Sequence, residues 1–353
     1  MPKRRRLLKL SEKKVVTMQR RVHKSACTTV SVDVFLWRER TGQGNLPFMA
    51  RILVIRLSAL GDFVQSFPAF AAIRAHHPDA SITLLTTAPF RALAEASPWF
   101  DQIEIDTRPK ITDFRGMKRL RQQLSGFDRI YDLQTSGRSS GYRRLVGTAD
   151  WSGIGGKGPL AHTNPSRVLM HTRTRQRDQL RVAGMTEVPE VAGLGWLTAQ
   201  GSRFTTLLSM PYAVIVPGAA PHRPGKRWAA ERYGALAAHL AATGLIPVVI
   251  GSGADTPLAA VIQSECPETV DLTGKTSILD LGGICAKATI AIGNDTGPMH
   301  LAAAVGCRCL VLFSAESDPG LTAPTGRFAG QVHVLRVHDM ATLSVDRVVS
   351  ALG

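Results

Sequence analysis

The chain has 353 residues, which is long enough for two domains of ordinary size, each with its own core. Hydrophobic residues make up 44% and charged residues 20%, the composition of a soluble globular protein rather than a disordered or fibrous one. A net charge of +16 favours anionic partners: nucleic acid, an anionic membrane surface or phosphorylated substrates. The sequence contains no run of 18 apolar residues, so no transmembrane helix is expected, and its basic start lacks the apolar stretch of a signal peptide.

Much of the charge lies in the first 48 residues, which hold twelve Lys or Arg against three acids, a net +9 that leaves +7 for the other 305 residues. A nucleic-acid function argued from overall charge therefore loses most of its force. Three interpretations of residues 1–48 stay open: a translation start read too far upstream, a disordered basic arm, or an electrostatic tether to anionic lipid. The first is favoured because Met49 and Ala50 stand just ahead of the first predicted strand, and no fold is predicted for the segment.

The cysteines show no pattern typical of a metal site or a disulfide framework. They are Cys27, Cys266, Cys285, Cys307 and Cys309. Their odd number and scattered positions predict reduced thiols in a cytoplasmic protein.

From residue 51 the sequence alternates short apolar runs with segments of helical spacing. In the first half, strands are predicted at 51–56, 81–87, 102–106 and 128–133, and helices at 63–76, 89–96 and 114–124. The stretch 151–210 is irregular and is expected to hold surface loops, one or two helices such as 173–183, and the linker. In the second half, strands are predicted at 213–216, 246–250, 290–292 and 309–313, and helices at 229–243, 255–265, 278–286, 298–304 and 344–352.

This repeated alternation predicts an α/β protein with two parallel sheets, each wrapped in helices, facing each other across a cleft. The predicted domains are 49–205 and 206–335, followed by a closing helix in 336–353. Ligands bind beyond the carboxyl ends of parallel strands, so the loops directly after strands are expected to carry the function.

The first such loop is Ser58-Ala-Leu-Gly-Asp62, between the opening strand and a helix. Gly61 permits a tight turn, and Asp62 falls at the start of the helix. Asp62 can be an ordinary helix cap, or a carboxylate aimed into the cleft that takes a proton from a sugar hydroxyl. Spacing alone favours the cap.

The second loop is Asn-Asp-Thr-Gly-Pro-Met-His, residues 294–300. Asp295 or Thr296 can cap the following helix, Gly297 lets another backbone approach closely, and Pro298 suits the first turn. Free N–H groups and the helix dipole make this a ready diphosphate site, to which His300 adds a donor. A capped structural helix with a surface His is the alternative, and the grouping of Thr, Gly and His favours the diphosphate.

The third loop is PGAAPHRPGKRW, residues 217–228, which offers Arg223, Lys226 and Arg227. A lysine here can neutralise a leaving-group phosphate, although a solvated basic loop is the simpler interpretation. The loop lacks the Walker A pattern.

The fourth loop, residues 251–255, is glycine-rich but lacks the third glycine of the dinucleotide fingerprint. Its Asp255 can still meet a ribose hydroxyl.

A set of arginines lies in the half opposite the predicted diphosphate site: Arg138, Arg143, Arg144, Arg167, Arg173, Arg175, Arg177 and Arg181. Most fit ordinary surface charge, and some can hold an acceptor rich in carboxylates or phosphates.

Three stretches together resemble glycosyltransferase family 9, the ADP-heptose:lipopolysaccharide heptosyltransferases. They are RILVIRLSALGDFVQSFPAFAAIR at the start, PGAAPHRPGKRW in the middle and GNDTGPMHLAAAVG near the end. The resemblance covers about residues 49–320 and implies a GT-B architecture and an inverting reaction without metal or cofactor. It implies transfer from ADP-heptose or a similar nucleotide sugar to lipopolysaccharide core or another surface glycan.

The resemblance also implies roles for residues that match the motifs, and it overturns the preference for Asp62 as a mere cap. Asp62 becomes the general base and Lys226 the group that stabilises the departing diphosphate. The nucleotide-sugar site is formed by Asp295, Thr296, Gly297, His300 and Asp255. The acceptor site is formed by Ser58, Gly61 and Arg138.

The expected partners are the nucleotide sugar and an anionic glycan or glycolipid, with peripheral contact at the inner face of the inner membrane and no nucleic acid. A nucleotide-sugar-binding protein without activity, and a family member with a different donor, remain as alternatives. Residues 1–48 and 151–210 depart from the family pattern, and acceptor contacts are expected partly in 151–210.

Overall fold

A computed structural model describes residues 49–147, 149–204 and 209–352. Its strands form two sheets, and every strand pair is parallel. The strands are β1 (Arg51–Ile55), β2 (Ser81–Thr86), β3 (Gln102–Ile105), β4 (Arg129–Asp132), β5 (Asp150–Ser152), β6 (Tyr212–Val216), β7 (Ile246–Val249), β8 (Val270–Asp271), β9 (Ile290–Asn294), β10 (Cys309–Phe313) and β11 (Val332–Arg336). The predicted α/β architecture of two Rossmann-like domains facing each other is confirmed.

Helices cover both sheets. They are α1 (Leu60–Gln65), α2 (Phe67–His76), α3 (Arg91–Glu95), α4 (Phe114–Gln123), α5 (Gly137–Tyr142), α6 (Thr172–Val182), α7 (Gly195–Thr198), α8 (Ala230–Ala242), α9 (Thr256–Glu265), α10 (Ile278–Lys287), α11 (Gly297–Ala304), α12 (Pro319–Thr322) and α13 (Val345–Ser350). Because both faces of each sheet are covered, the central strands are mostly apolar; β6 and β10, for example, are buried at every position.

Both sheets have the same strand order, and the second sheet has one additional edge strand. The first runs β3-β2-β1-β4-β5, and the second, in the matching direction, runs β8-β7-β6-β9-β10-β11. Each order reverses direction at one point, between β1 and β4 in the first lobe and between β6 and β9 in the second. Such a switch point opens a crevice at the carboxyl ends of the strands, which is where open α/β sheets bind ligands. The loops after β1, β4, β6 and β9 therefore define the place to look for a site.

The two lobes share a continuous apolar core. In the first lobe, the rings of Phe63, Phe67, Phe70 and Trp99 pack on one another, and Trp196 joins them from the linker region. The same cluster of buried side chains extends into the second lobe, to residues of β6, β9 and α11. Burial of large aromatic side chains in this joint fixes the lobes against each other.

The segment predicted as one helix over 63–76 is two helices, α1 and α2, joined at Ser66. Pro68 has no N–H to donate to the carbonyl of Val64, and its ring would collide with that carbonyl in a continuous helix. The chain therefore turns at Ser66, whose hydroxyl donates to the carbonyl of Asp62 at 2.8 Å. The first helix also starts earlier than predicted, at Leu60.

The elements that the sequence did not predict are short, and three of them, β5, β8 and β11, lie at sheet edges. Edge strands need fewer apolar residues, so their sequences lack the buried runs that mark the central strands. In the irregular stretch 151–210, the predicted helix is α6, and the proposed domain boundary at 205 falls outside the described residues.

Residues 1–48, with Cys27, also lie outside the described residues. The other four cysteines are free and buried. No helix in the described ranges combines the length and apolar character needed to cross a bilayer.

Candidate active site

The first and last sequence motifs touch across the lobes, through the N-terminal turns of α1 and α11. A Cβ atom added to Gly61 would lie 2.6 Å from Cδ2 of His300, and one added to Gly297 would lie 2.7 Å from Cβ of Leu60. Both distances are shorter than van der Waals contact allows, so these positions need glycine for the helices to approach. The close approach brings the loop after β1 and the loop after β9 into one site.

Asp62 lies in the first turn of α1, with its side chain 43% exposed. The cap position is Ala59, whose N–H donates to Oδ2 of Asp62 at 3.4 Å, so the prediction of Asp62 as the cap residue is wrong by three positions. The helix is one turn longer at its start than the sequence pattern indicated. Oδ1 of Asp62 forms an ion pair with Nη2 of Arg56 at 3.2 Å. The carboxylate is therefore anchored on one side and accessible on the other.

Arg56, which holds Asp62, was not predicted as a site residue. It directly follows β1 and is only 3% exposed, and its Nη1 donates to the carbonyl of Leu133 at 2.6 Å. Burial lowers its pKa, the carboxylates of Asp62 and Asp132 counteract this, and nearby Arg175 adds to the lowering. The sequence feature that could have identified Arg56 is its charge, directly after the apolar, buried positions 52–55.

Asp132 ends β4 and is completely buried beside this pair. It accepts hydrogen bonds from the backbone N–H groups of Gln134 and Thr135, at 3.1 and 3.0 Å, and from the Ser139 hydroxyl at 3.0 Å. Burial raises its pKa to about 6, against the effect of these donors and of Arg56. No local sequence pattern distinguishes this residue.

In the second lobe, Lys226 and Asp295 form a buried ion pair, with Nζ 2.5 Å from Oδ2. The Ser317 hydroxyl donates to the same oxygen at 2.7 Å, and Nε2 of His300 lies 3.8 Å from Oδ1. Burial alone would raise the pKa of Asp295, but His300, Lys226 and Ser317 outweigh it and hold the pKa at about 2. Asp295 is therefore ionised at neutral pH.

Asp295 does not cap α11. The cap residue is Thr296, and its side chain accepts no hydrogen bond from the helix. Asp295 turns towards Lys226 instead. A buried carboxylate is stabilised more by a hydrogen bond from a cation than by one from a neutral backbone N–H group. The N–H groups at this helix start thus keep no side-chain cap.

Asn294, the last residue of β9, positions the basic loop 217–228 over this pair. Its Nδ2 donates to the carbonyl of Pro217 at 2.8 Å. Its Oδ1 accepts from the backbone N–H of Trp228 at 3.2 Å and from the hydroxyl of Tyr233 at 3.0 Å. These bonds hold both ends of the loop, so Lys226 is brought to Asp295.

A cavity of about 330 Å³ opens beside the loop after β9. Its walls include Leu60 of the first lobe and, from the second, Gly218, Asp255, Ile278, Leu281 and Thr296. Asp255 is fixed in its wall, since Oδ2 accepts from both the N–H and the hydroxyl of Ser252 at 2.8 Å. A Cβ atom at Gly218 would lie 2.6 Å from Oδ1 of Asp255, so the glycine makes room for the carboxylate.

The predicted acceptor residues Ser58 and Arg138 lie on the first-lobe wall and are joined to the loop after β3. The Ser58 hydroxyl accepts from Nη2 of Arg108 at 2.8 Å. Nη1 of Arg138 donates to the carbonyl of Pro109 at 3.4 Å. Both residues therefore contact loop 107–113, which the sequence had left without a role.

Of the predicted arginines, Arg167 and Arg175 interact with the buried charges of the first lobe. The pKa of Arg167 is lowered by burial and by Arg175, and raised by Asp132. Arg175 also lowers the pKa of Arg56, and Arg56 lowers that of Asp132, so these three arginines add positive charge to this region of the first lobe. Arg177 is instead paired with Glu190. Over the residues that the structure describes, no group of three or more His, Cys, Asp or Glu could hold a metal ion.

Two Rossmann-like lobes that face each other across a cleft are the GT-B fold of glycosyltransferases. The chain belongs to glycosyltransferase family 9 (heptosyltransferase), whose family model matches residues 115–349. The loop containing Asp62 precedes that range.

Individual relatives agree with the family. The chain is 27% identical over 320 residues to lipopolysaccharide heptosyltransferase 2 of Escherichia coli K12, covering 81% of this chain and 88% of the relative. It is 34% identical to lipooligosaccharide heptosyltransferase 2 of Haemophilus influenzae over 119 residues, which is 32% of this chain and only 34% of that relative.

Solved structures show the same fold. The structure of E. coli ADP-heptose lps heptosyltransferase II superposes with a TM-score of 0.68 at 22% identity, covering 86% of this chain and 97% of that one. E. coli heptosyltransferase WaaC with ADP superposes with a TM-score of 0.66 at 18% identity, covering 86% and 98%.

Proposed function

We propose that the protein transfers a heptose, or a closely related sugar, from ADP-heptose to lipopolysaccharide core or another surface glycan, with inversion at the anomeric carbon. One observation carries the proposal: α1 and α11 are in contact, so Asp62 of the first lobe and the group around Lys226 of the second reach the same cleft. The names of similar proteins support this choice of donor and acceptor: one relative is a lipopolysaccharide heptosyltransferase, and a solved structure of the same fold is an ADP-heptose heptosyltransferase.

In the first lobe, Asp62 takes the proton of the attacking acceptor hydroxyl. A positioned base of this kind contributes about 10²–10⁴-fold to rate. The ion pair with Arg56 holds one carboxylate oxygen, and the side chain stays 43% exposed, which leaves it accessible to the acceptor hydroxyl. Arg56 itself is a positioning residue, since its guanidinium is buried behind the carboxylate.

In the second lobe, the departing diphosphate is stabilised at the start of α11. Thr296 and Gly297 present backbone N–H groups and the positive end of the helix dipole, and His300 adds a ring N–H. Lys226 exchanges part of its contact with Asp295 for a phosphate oxygen when the donor binds. These fixed charges neutralise the leaving group where charge develops, and no metal or cofactor enters the reaction.

The 330 Å³ cavity takes the nucleoside of the donor. This volume lies at the lower end of the range of small-molecule pockets. Asp255 accepts from the ribose hydroxyls through the carboxylate oxygen that Ser252 leaves free, and Ile278 and Leu281 supply apolar walls for the base.

The acceptor lies against the first lobe. Ser58, Gly61 and Arg138 contact it, and the half-buried Arg167 and Arg175 attract its anionic groups. Guanidinium groups suit this role because they bind carboxylates and phosphates through two parallel hydrogen bonds. Nucleic acid is not a partner. The enzyme works in the cytoplasm, in peripheral contact with the membrane that carries a glycolipid acceptor.

The decisive experiment compares Asp62→Asn with the wild type. We expect the variant to lose at least about 100-fold in turnover, while calorimetry shows unchanged ADP binding, because the base acts on the acceptor and not on the nucleotide. Asp79→Asn, at an exposed carboxylate in a turn, is the matched control. Turnover of the wild type is expected to be the same with and without EDTA.

A panel of ADP-, GDP-, UDP- and dTDP-sugars tests the donor. Tight ADP-sugar binding with turnover supports the proposal. Binding without turnover on any acceptor would make the protein a nucleotide-sugar-binding protein, and turnover confined to another base would change the donor. Full activity of Asp62→Asn would remove Asp62 from the mechanism.

A further inference from the structure

The start of α4 and the loop before it form an exposed surface that is both apolar and basic. We call it the α4 surface; it comprises Arg108, Lys110, Ile111, Phe114, Arg115, Lys118, Arg119 and Arg121. Ile111 is 87% and Phe114 84% exposed, the highest values among the exposed large hydrophobic side chains of the described residues. Single exposed apolar residues are common, but here two lie three positions apart among six cations.

The local sequence explains why these side chains face outwards. Asp113 caps α4 by accepting from the N–H of Gly116 at 2.9 Å, and the helix buries Leu120 and Leu124 against the sheet. The opposite face then carries the cations and, at the first helical position, Phe114. Over 107–121, six basic residues stand against the single acid Asp113. The surface is therefore strongly positive.

The α4 surface adjoins the first-lobe wall of the cleft. Arg108 at its edge donates to the hydroxyl of Ser58, and the carbonyl of Pro109 accepts from Arg138. One side of loop 107–113 therefore touches the proposed acceptor residues, while Ile111, on the same loop, faces solvent. A binding partner that covers the α4 surface would therefore lie next to the acceptor side of the cleft.

We infer that the α4 surface binds an anionic phospholipid bilayer, with Ile111 and Phe114 inserted at the headgroup level and the cations on lipid phosphates. Short amphipathic elements with basic residues around apolar ones bind membrane interfaces in this way. Membrane binding by this surface does not depend on the proposed function. Only its purpose does, which is to bring a lipid-anchored acceptor to the first lobe.

Charge decides between this occupant and others. A second copy of the chain would place two surfaces of the same sign together, which is repulsive. Single-stranded nucleic acid would need several aromatic rings as stacking platforms, and the α4 surface has one, Phe114. An anionic bilayer satisfies both the apolar pair and the cations.

The test is co-sedimentation of the full chain with vesicles of phosphatidylethanolamine and phosphatidylglycerol. We expect Ile111→Ser/Phe114→Ser to weaken vesicle binding about tenfold, and Lys118→Glu/Arg119→Glu to weaken it at least as much and most strongly at low salt.

Phe328→Ser and Arg308→Glu are matched controls, since Phe328 is 59% exposed and Arg308 is exposed, both in the second lobe. The controls should bind as the wild type does. Residues 1–48 are the same in all variants, so any binding they add is common.

Failure of the wild type to bind these vesicles, or equal binding by the α4 variants, would overturn the inference. A wild-type dimer in sedimentation that the Ile111 and Phe114 substitutions dissociate would assign the surface to a second copy instead, and tighter binding to single-stranded RNA than to vesicles would assign it to nucleic acid. Turnover with a water-soluble acceptor fragment should be unchanged in Ile111→Ser/Phe114→Ser. If neither the wild type nor the variants transfer sugar to the acceptor, but their vesicle binding differs as expected, the proposed function fails and membrane binding by the α4 surface is still supported.

Discussion

Gly61 lies directly against the imidazole of His300, and a Cβ atom at position 61 would stand 2.6 Å from Cδ2 of the ring. These residues are 239 positions apart and belong to different lobes. Their contact sets the separation between the carboxylate of Asp62, next to Gly61, and the helix start that contains His300. The spacing of the two helices therefore depends on this glycine, together with Gly297, which packs against Leu60.

Gly61→Ala is expected to push His300 out of place and to lower turnover at least about tenfold. Overpacking costs about 1–3 kcal/mol, which exceeds the helix propensity gained by replacing Gly, at most about 1 kcal/mol. Kinetics and urea unfolding measure both effects. Gly141→Ala in α5 is the control because an added Cβ there meets nothing within 4 Å, so it should be neutral or stabilising. Wild-type kinetics in Gly61→Ala would contradict the role of the contact.

Arg56→Gln is expected to reduce kcat while the Kd for ADP stays unchanged, because Asp62 loses the ion pair that orients it. Arg56→Lys should restore part of the rate, since an ammonium keeps the charge but not the guanidinium bond to the Leu133 carbonyl. A purely structural role predicts equal losses in both variants, and in ADP binding. The comparison of kcat with Kd therefore separates positioning from folding.

Asp295→Asn is expected to change the acid dependence of stability. The pKa of Asp295 is lowered to about 2 from 3.8, so its contribution is present above pH 4 and is lost as pH falls towards 2. The wild type's advantage over the variant in free energy of unfolding should be about 1 kcal/mol smaller at pH 3 than at pH 6. Urea titrations at the two pH values measure it, with Asp79→Asn as control. A difference independent of pH would show that the Lys226 pair does not hold this carboxylate.

Asp132→Asn is expected to have the opposite pH dependence. The pKa of Asp132 is raised from 3.8 to about 6, so the folded state favours the protonated form, and ionisation destabilises the fold as pH rises between these values. The wild type's stability relative to the variant should fall by about 2 kcal/mol between pH 4 and pH 7. Unfolding curves at pH 4, 5, 6 and 7 would reveal the slope. Arg56→Gln should move the slope to higher pH, since Arg56 lowers the pKa of Asp132.

The sequence alone determined the two-lobed α/β architecture and the positions of the loops that matter. Alternating apolar runs and helical spacing depend on local periodicity, which is legible without tertiary contacts. Local sequence also identified Gly61, Gly297 and Pro298, because the residues preferred in turns and at helix starts are set by their immediate neighbours. The placement of the predicted residues after β1, β4, β6, β7 and β9 followed from these local signals and from the rule that ligands bind at strand ends.

Only the tertiary structure decided which charged groups are partners. Arg56 and Asp132 are 76 positions apart and meet because β1 and β4 are neighbours, with Ile55 opposite Asp132 in the register. Asp295 or Thr296 was expected as the helix cap; the cap is Thr296, and burial beside Lys226 and Ser317 gives the Asp295 carboxylate a cation instead. Local patterns cannot contain such pairings, because strand order sets which side chains are buried together and burial sets how strongly their charges interact.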